Sequence, residues 1–173
     1  MNLFKRLKTK EIVVYQVSGH TAIDMVHNRK AYFIADSVLS NDAAKIEFLI
    51  KPHRIQNGTK DLQIIAIEEG LSFTYPGVWI NPTCIYFMGQ RIAIINNRWK
   101  SPQPGDKISC DLAIISGDLR IKPDELLKQV DFKQLVIDSS VPFYRAENLV
   151  QDFESQGIPC HSVRHDGAYI LKW

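Results

Sequence analysis

The sequence predicts an α+β fold, a β-rich sandwich flanked by helices, and three observations carry that prediction. Short apolar runs bounded by Gly, Pro, Asn and Asp recur along the chain and give about nine strands. Three stretches with helical spacing lie between those runs rather than in one block. The tail, residues 132–173, reads as strand, loop, helix and strand.

Taken in order, residues 11–17, 22–27 and 31–36 are apolar-rich and separated by Ser18-Gly19-His20 and by Asn28-Arg29-Lys30, which predicts a three-stranded meander. Residues 38–50 carry Ala43, Ala44, Ile46, Phe48, Leu49 and Ile50 in a helix, with Ser40 or Asn41 as N-cap and an end before Pro52. Residues 53–61 are polar, contain Asn57-Gly58 and predict a loop. The incomplete alternation of residues 62–68 predicts a strand buried on both faces. Residues 71–81, with Tyr75-Pro76-Gly77 and Trp79, show no readable period.

Residues 84–88 and 91–96 predict a hairpin over Gly89-Gln90, with Gly at the first turn position as a type II′ turn requires. Pro102, Pro104 and Gly105 make residues 97–109 a loop, and residues 111–116 a buried strand. Residues 122–130 form a short helix opened by Pro123. In the tail, residues 134–138 are a strand, and residues 145–156 are a helix presenting Leu149, Val150 and Phe153 and stopped by Gly157. Residues 168–173 are a closing strand after the Asp166-Gly167 turn. The strands at 111–116 and 134–138 are expected in one sheet, with both following helices on one side of it.

The chain has 173 residues, of which 45% are hydrophobic and 23% charged, and its net charge is +2. That fits one globular domain over residues 11–173 preceded by a basic segment, residues 1–10, with Lys5, Arg6, Lys8 and Lys10. The segment has the pattern of one that flanks a membrane helix. No apolar run approaches the ~18 residues that cross a bilayer. Cys84, Cys110 and Cys160 are odd in number and form no Cys-x-x-Cys pair, so zinc-ribbon and thioredoxin-like readings fail and packed thiols are expected. No Gly-x-Ser-x-Gly elbow, P-loop or Gly-x-Gly-x-x-Gly fingerprint occurs.

The stretch "VIDSSVPFYRAENLVQDFESQGIPCHSVRHDGAYIL" resembles the end of the metallo-β-lactamase-like domain that closes ComEC-type competence proteins, membrane channels for DNA uptake. The matching residues are Ile137, Leu149, Gly157, Ile158, Asp166, Gly167 and Ala168. Near the other end, "VYQVSGHTAIDMVHNRKAYFIADS" is similar to that domain's opening hairpin through Val17, Gly19, Ala22 and Asp36. His20 and Thr21 there stand where the pattern has Gly and Asp. "CIYFMGQRIAII" and "DLAIISGDLRIKPDELLKQV" resemble the hairpin, strand and helix of its second half.

The resemblance implies a truncated metallo-β-lactamase-like architecture whose hydrolytic members hold two metals on a His-x-His-x-Asp-His cluster with a later His and Asp. That cluster is missing: no two of His20, His27, His53, His161 and His165 are separated by a single residue. The expectation is therefore a non-catalytic soluble domain of a bacterial inner-membrane DNA-uptake protein, with no cofactor, contacting single-stranded DNA or the channel portion of the same parent. The alternative is a metal-dependent phosphodiesterase or nuclease with atypical ligands such as Asp36, Asp118, Asp138 and His161. The side of the membrane stays open, because the basic segment points inward whereas a nuclease acting on the discarded strand belongs outside.

Two groups are candidate sites. Asp138, Ser139 and Ser140 end one predicted strand, and Ser116 and Asp118 end another, so adjacent placement of the two strands would bring them together in a polar shelf at the strand ends. Lys51, Arg54, Arg98, Trp99 and Lys100, with His53 and Lys60 nearby, put basic side chains beside an aromatic, a surface suited to single strands. His161 and His165, on an extended segment, would lie roughly 13 Å apart and share no ion. His20, Asp24 and Asp36 are read as satisfied turn residues.

Overall fold

The computed structural model describes residues 10–66 and 72–173. Most of the basic segment, and the end of the strand expected at 62–68, lie outside those residues.

Two mixed sheets face each other. The first contains β1 (Glu11–Val14), β2 (Ala22–His27), β3 (Lys30–Ala35), β4 (Asp61–Ala66) and the closing strand β12 (Tyr169–Lys172), in the order β12-β1-β2-β3-β4. The second contains β5 (Phe73–Tyr75), β6 (Val78–Ile80), β7 (Cys84–Phe87), β8 (Gln90–Ile95), β9 (Ile108–Ile115), β10 (Val130–Ile137) and β11 (His161–Ser162), in the order β11-β10-β9-β8-β7-β6-β5. Alternation within each strand sorts the side chains. Ile12, Ile23, Met25 and Ile34 meet Phe87, Ile92, Ile94, Leu112 and Val136 between the sheets.

The opposite faces take helices. Val13, Ala22, Phe33 and Ala35 of the first sheet pack under Leu39 and Ile50, from α1 (Ser37–Ser40) and the helical stretch that follows it. Ala93, Ile95, Ala113, Ile115, Leu135 and Ile137 of the second sheet pack under Leu126 of α4 (Pro123–Gln129) and Ala146, Leu149 and Phe153 of α5 (Phe143–Ser155). The layering is helix, sheet, sheet, helix, a mixed α+β sandwich. The strands from 111–116 and 134–138 are parallel neighbours, and both following helices lie on one face, as expected.

Several local expectations are corrected. The helix of residues 38–50 is broken: Asp36 caps α1, and Asp42 caps a second start, α2 (Ala43–Lys45). This runs through a π turn (Ile46–Ile50) into α3 (Lys51–Asn57), closed by Gly58 in the left-handed region at φ 69°. The shift to a π register lets the chain pass Pro52, which has no N–H to give. Residues 53–57 are therefore helical, not loop. Among the described residues strand β4 is an edge strand pairing only with β3, and it is largely exposed rather than buried on both faces.

The hairpin turn of β7 and β8 is Met88-Gly89, both at positive φ (48° and 102°), which is the type I′ pattern rather than II′. The stretch without a readable period is the hairpin β5–β6, where Tyr75 pairs with Val78 around Pro76-Gly77. His161 and His165 do not share an extended segment, since the chain turns into α6 (Val163–Asp166) between them.

Candidate functional site

Parallel pairing puts the C-terminal ends of β8, β9 and β10 at one edge, with Ile95, Ile115 and Ile137 in register. The next residues, Asn96, Ser116 and Asp138, therefore emerge side by side. From the first sheet, the turn before β2 and the end of β3 bring Thr21 and Asp36 to the same edge. Between them lies a cleft of 280 Å³ lined by Gly19, Thr21, Asp36, Arg98, Ser116 and Ser140 among others.

Asp138 is fully buried at the base of this edge. Thr21 donates its hydroxyl to Asp138 Oδ2 at 2.7 Å, Ser140 donates its backbone N–H to Oδ1 at 2.9 Å, and the Ser140 hydroxyl donates to the same oxygen. Ser116 Oγ, 2.7 Å from Thr21 Oγ1 and 3.2 Å from Ser140 Oγ, closes the ring of hydroxyls. Burial pushes the Asp138 carboxyl above the ordinary carboxylate range, and the bonds from Ser140, Thr21 and Ser116 oppose that shift without cancelling it. The backbone fastens the cluster further: Gly19 N–H donates to the Ser139 carbonyl at 2.9 Å, and Gly117 N–H donates to Ser140 Oγ at 2.6 Å.

Asp36 occupies the rim. Its carboxylate accepts from the Leu39 and Thr21 backbone N–H groups at 2.9 and 3.1 Å and from His20 Nδ1 at 3.1 Å. With Nδ1 donating, His20 Nε2 is the acceptor that meets Lys45 Nζ at 3.3 Å. Neither ring nitrogen faces a serine hydroxyl, so the Ser–His pairing that activates a nucleophile is not formed at this edge.

Of the predicted shelf, Ser116, Asp138 and Ser140 meet. Ser139 is buried with a hydroxyl that has no hydrogen-bond partner among the described residues, and Asp118 turns outward to Arg145 Nη1 at 2.5 Å. The alternative ligand set is not assembled: His161 Nε2 binds the Gly167 carbonyl at 2.8 Å on β11, while Asp118 is at the surface. Among the described residues no group of three or more His, Cys, Asp or Glu is placed to hold a metal ion. Thr21, whose side chain bonds across the two sheets here, was not among the sequence candidates. Its signal was the departure from the hairpin pattern, Thr where the pattern has Asp.

The predicted basic group is divided between layers. Lys51 and Arg54 lie on α3 over the first sheet, whereas Arg98, Trp99 and Lys100 lie in the loop leaving β8 of the second. Arg54 is not a surface cation: it is 7% exposed, grips Asp24 through two bonds of 2.7 and 2.8 Å and stacks 4.5 Å above the Phe33 ring. Asp24 also accepts from Tyr15 at 2.8 Å. Arg98 and Lys100 are exposed, and Trp99 donates its indole N–H to Gln129 at 2.9 Å.

The model of one protein family, described as the ComEC C-terminal domain, matches residues 12–173. No curated protein and no solved structure matches the chain. Among the described residues, no helix is long and apolar enough to cross a membrane.

Proposed function

The chain belongs to the ComEC C-terminal domain family, and on that premise we propose that it is a non-hydrolytic domain of a DNA-uptake membrane protein. Its strand-end site has exchanged metal chemistry for a closed hydrogen-bonded cluster. The layering of helix, sheet, sheet and helix supports reading the fold as a reduced metallo-β-lactamase-like domain.

The observation that carries the proposal is the cage around Asp138. A metal ligand must offer lone pairs to open space, yet both oxygens of this carboxylate are taken by Thr21 and Ser140, and burial favours its neutral form. DNA contact falls to the part of the predicted basic group on the loop after β8, Arg98 at the cleft and Trp99 and Lys100 in the adjoining groove. The channel portion of the parent protein is the other partner this reading names. Incubating the domain with single- and double-stranded DNA and added manganese or zinc tests the proposal. No strand scission above the metal-only control is expected, and metal-dependent turnover abolished by Asp36→Ala or Asp138→Ala overturns it.

A further inference from the structure

The helices over the second sheet cover β8, β9 and β10, and the apolar cluster beneath them includes no described residue of β6 or β7. Val78, Ile80, Ile85 and Phe87 point into the core, so alternation turns Trp79 and Tyr86 outward. The two are cross-strand partners, and Tyr86 is in turn paired with Arg91 on β8. Trp79 is 39% exposed and Tyr86 43%. Neither ring contacts another ring, and neither polar atom has a hydrogen-bond partner among the described residues. A Trp and a Tyr side by side on a partly exposed sheet face make an aromatic patch of the kind that marks an interaction site.

The surface next to them is basic. Cys84, two residues before Tyr86 and so on the same face, lines a groove of 690 Å³ together with Pro82, Arg98, Trp99 and Lys100. Asn97 and Arg98 line both this groove and the strand-end cleft, so the face, the groove and the cleft form one continuous track. Between residues 91 and 111 the sequence carries Arg91, Arg98, Lys100 and Lys107 with Asp106 and Asp111, and Asp111 pairs with Lys133 at 2.7 Å and with Arg91 at 3.8 Å.

We infer that the outer face of β6 and β7 is a base-stacking platform for single-stranded DNA. Trp79 and Tyr86 hold successive bases, and Arg91, Arg98 and Lys100 follow the phosphates toward the cleft. Flat rings on an open sheet flanked by cations suit unpaired bases, which present π-faces that a duplex keeps stacked inside. This inference rests on the DNA-handling reading above but needs none of its claims about hydrolysis.

The test measures binding of the whole chain, at about 50 mM salt where electrostatic binding is detectable, to a single-stranded oligonucleotide, its duplex and an abasic strand of equal length. The single strand is expected to bind tightest. Trp79→Ala and Tyr86→Ala should each lower its affinity about tenfold, in the range of base–aromatic stacking. The abasic strand should not respond, and Trp79→Phe and Tyr86→Phe, which keep the ring, should retain most of the affinity. If the alanine variants bind like the parent while Arg98→Ala with Lys100→Ala does not, the platform is overturned and DNA contact stands. Absence of binding to all three nucleic acids overturns the platform and leaves the non-hydrolytic reading to its own assay. Conversion of a dimer to a monomer by Trp79→Ala, with DNA binding unchanged, assigns the face to a second copy instead and overturns it too.

Discussion

The Thr21 hydroxyl donates to the Asp138 carboxylate across 2.7 Å, tying the turn before β2 of one sheet to the end of β10 in the other. The residues are 117 apart in sequence, and their bond, with Ser116 and Ser140 beside it, makes the strand-end edge a fastening point between the sheets. An edge that places functional groups in many parallel sheets is here filled by its own hydroxyls.

Replacing that carboxyl by its amide isostere isolates the charge. Because burial raises the folded-state pKa of Asp138, the folded state binds more protons than the unfolded chain between the ordinary aspartate value and the raised one. The contribution of the group to stability is therefore full below that window and is lost as pH rises through it. Asp138→Asn removes the loss, so its melting temperature relative to the parent should increase from pH 4 to pH 8. A difference independent of pH would contradict the assignment.

Glu11 runs the other way. It is almost fully buried; burial opposes its ionisation, but the bonds from His53 at 2.6 Å and Lys172 at 2.9 Å outweigh that and lower its pKa. Its stabilisation is present above the ordinary glutamate range and is lost as pH falls through the folded value. Glu11→Gln should be less stable than the parent near neutrality, and the gap should close under acid. Chemical denaturation at pH 3, 5 and 7 reads this directly.

The Asp24–Arg54 pair supports the helical layer. Truncation to Arg54→Ala leaves a buried carboxylate with only Tyr15 and should cost about 3–5 kcal/mol, while Arg54→Met, which keeps the packing on Phe33, should cost less. Single-strand affinity should not change in the Met variant. A normal melting temperature together with lost DNA binding in Arg54→Met would return this residue to the surface role expected from sequence.

For the basic loop, replacing Arg98 and Lys100 by Ala should weaken single-strand binding and flatten the plot of log affinity against log salt by about 0.7 for each phosphate that is no longer neutralised. Equal slopes for variant and parent would remove this loop from the DNA path.

The strands were legible because burial on one or both faces writes period-2 or continuous apolar runs, as in Ile92–Ile95 and Leu112–Ile115, and the shelf was legible because polar residues stop those runs at Ser116 and Asp138. What failed was set by long-range contacts. Pro52 reads locally as a helix end, and only the π turn, stabilised by Ile50 under the sheet, carries the helix past it. That one boundary placed Arg54 in a solvent loop, because its partner Asp24 is 30 residues away. Tyr75-Pro76-Gly77 did carry a signal, Pro then Gly at the centre of a type II turn, with Gly77 at φ 74°. The strands on either side are only three residues each, too short to show alternation.

On the proposed reading the strand-end cluster binds no metal, and elemental analysis of the protein measures this. The protein should be purified without chelator, saturated with zinc or manganese, and freed of loose ions by dialysis. Far less than one ion per chain is expected, unchanged in Asp138→Asn. One or two ions per chain that survive dialysis and are lost on substituting Asp36 or Asp138 would contradict it.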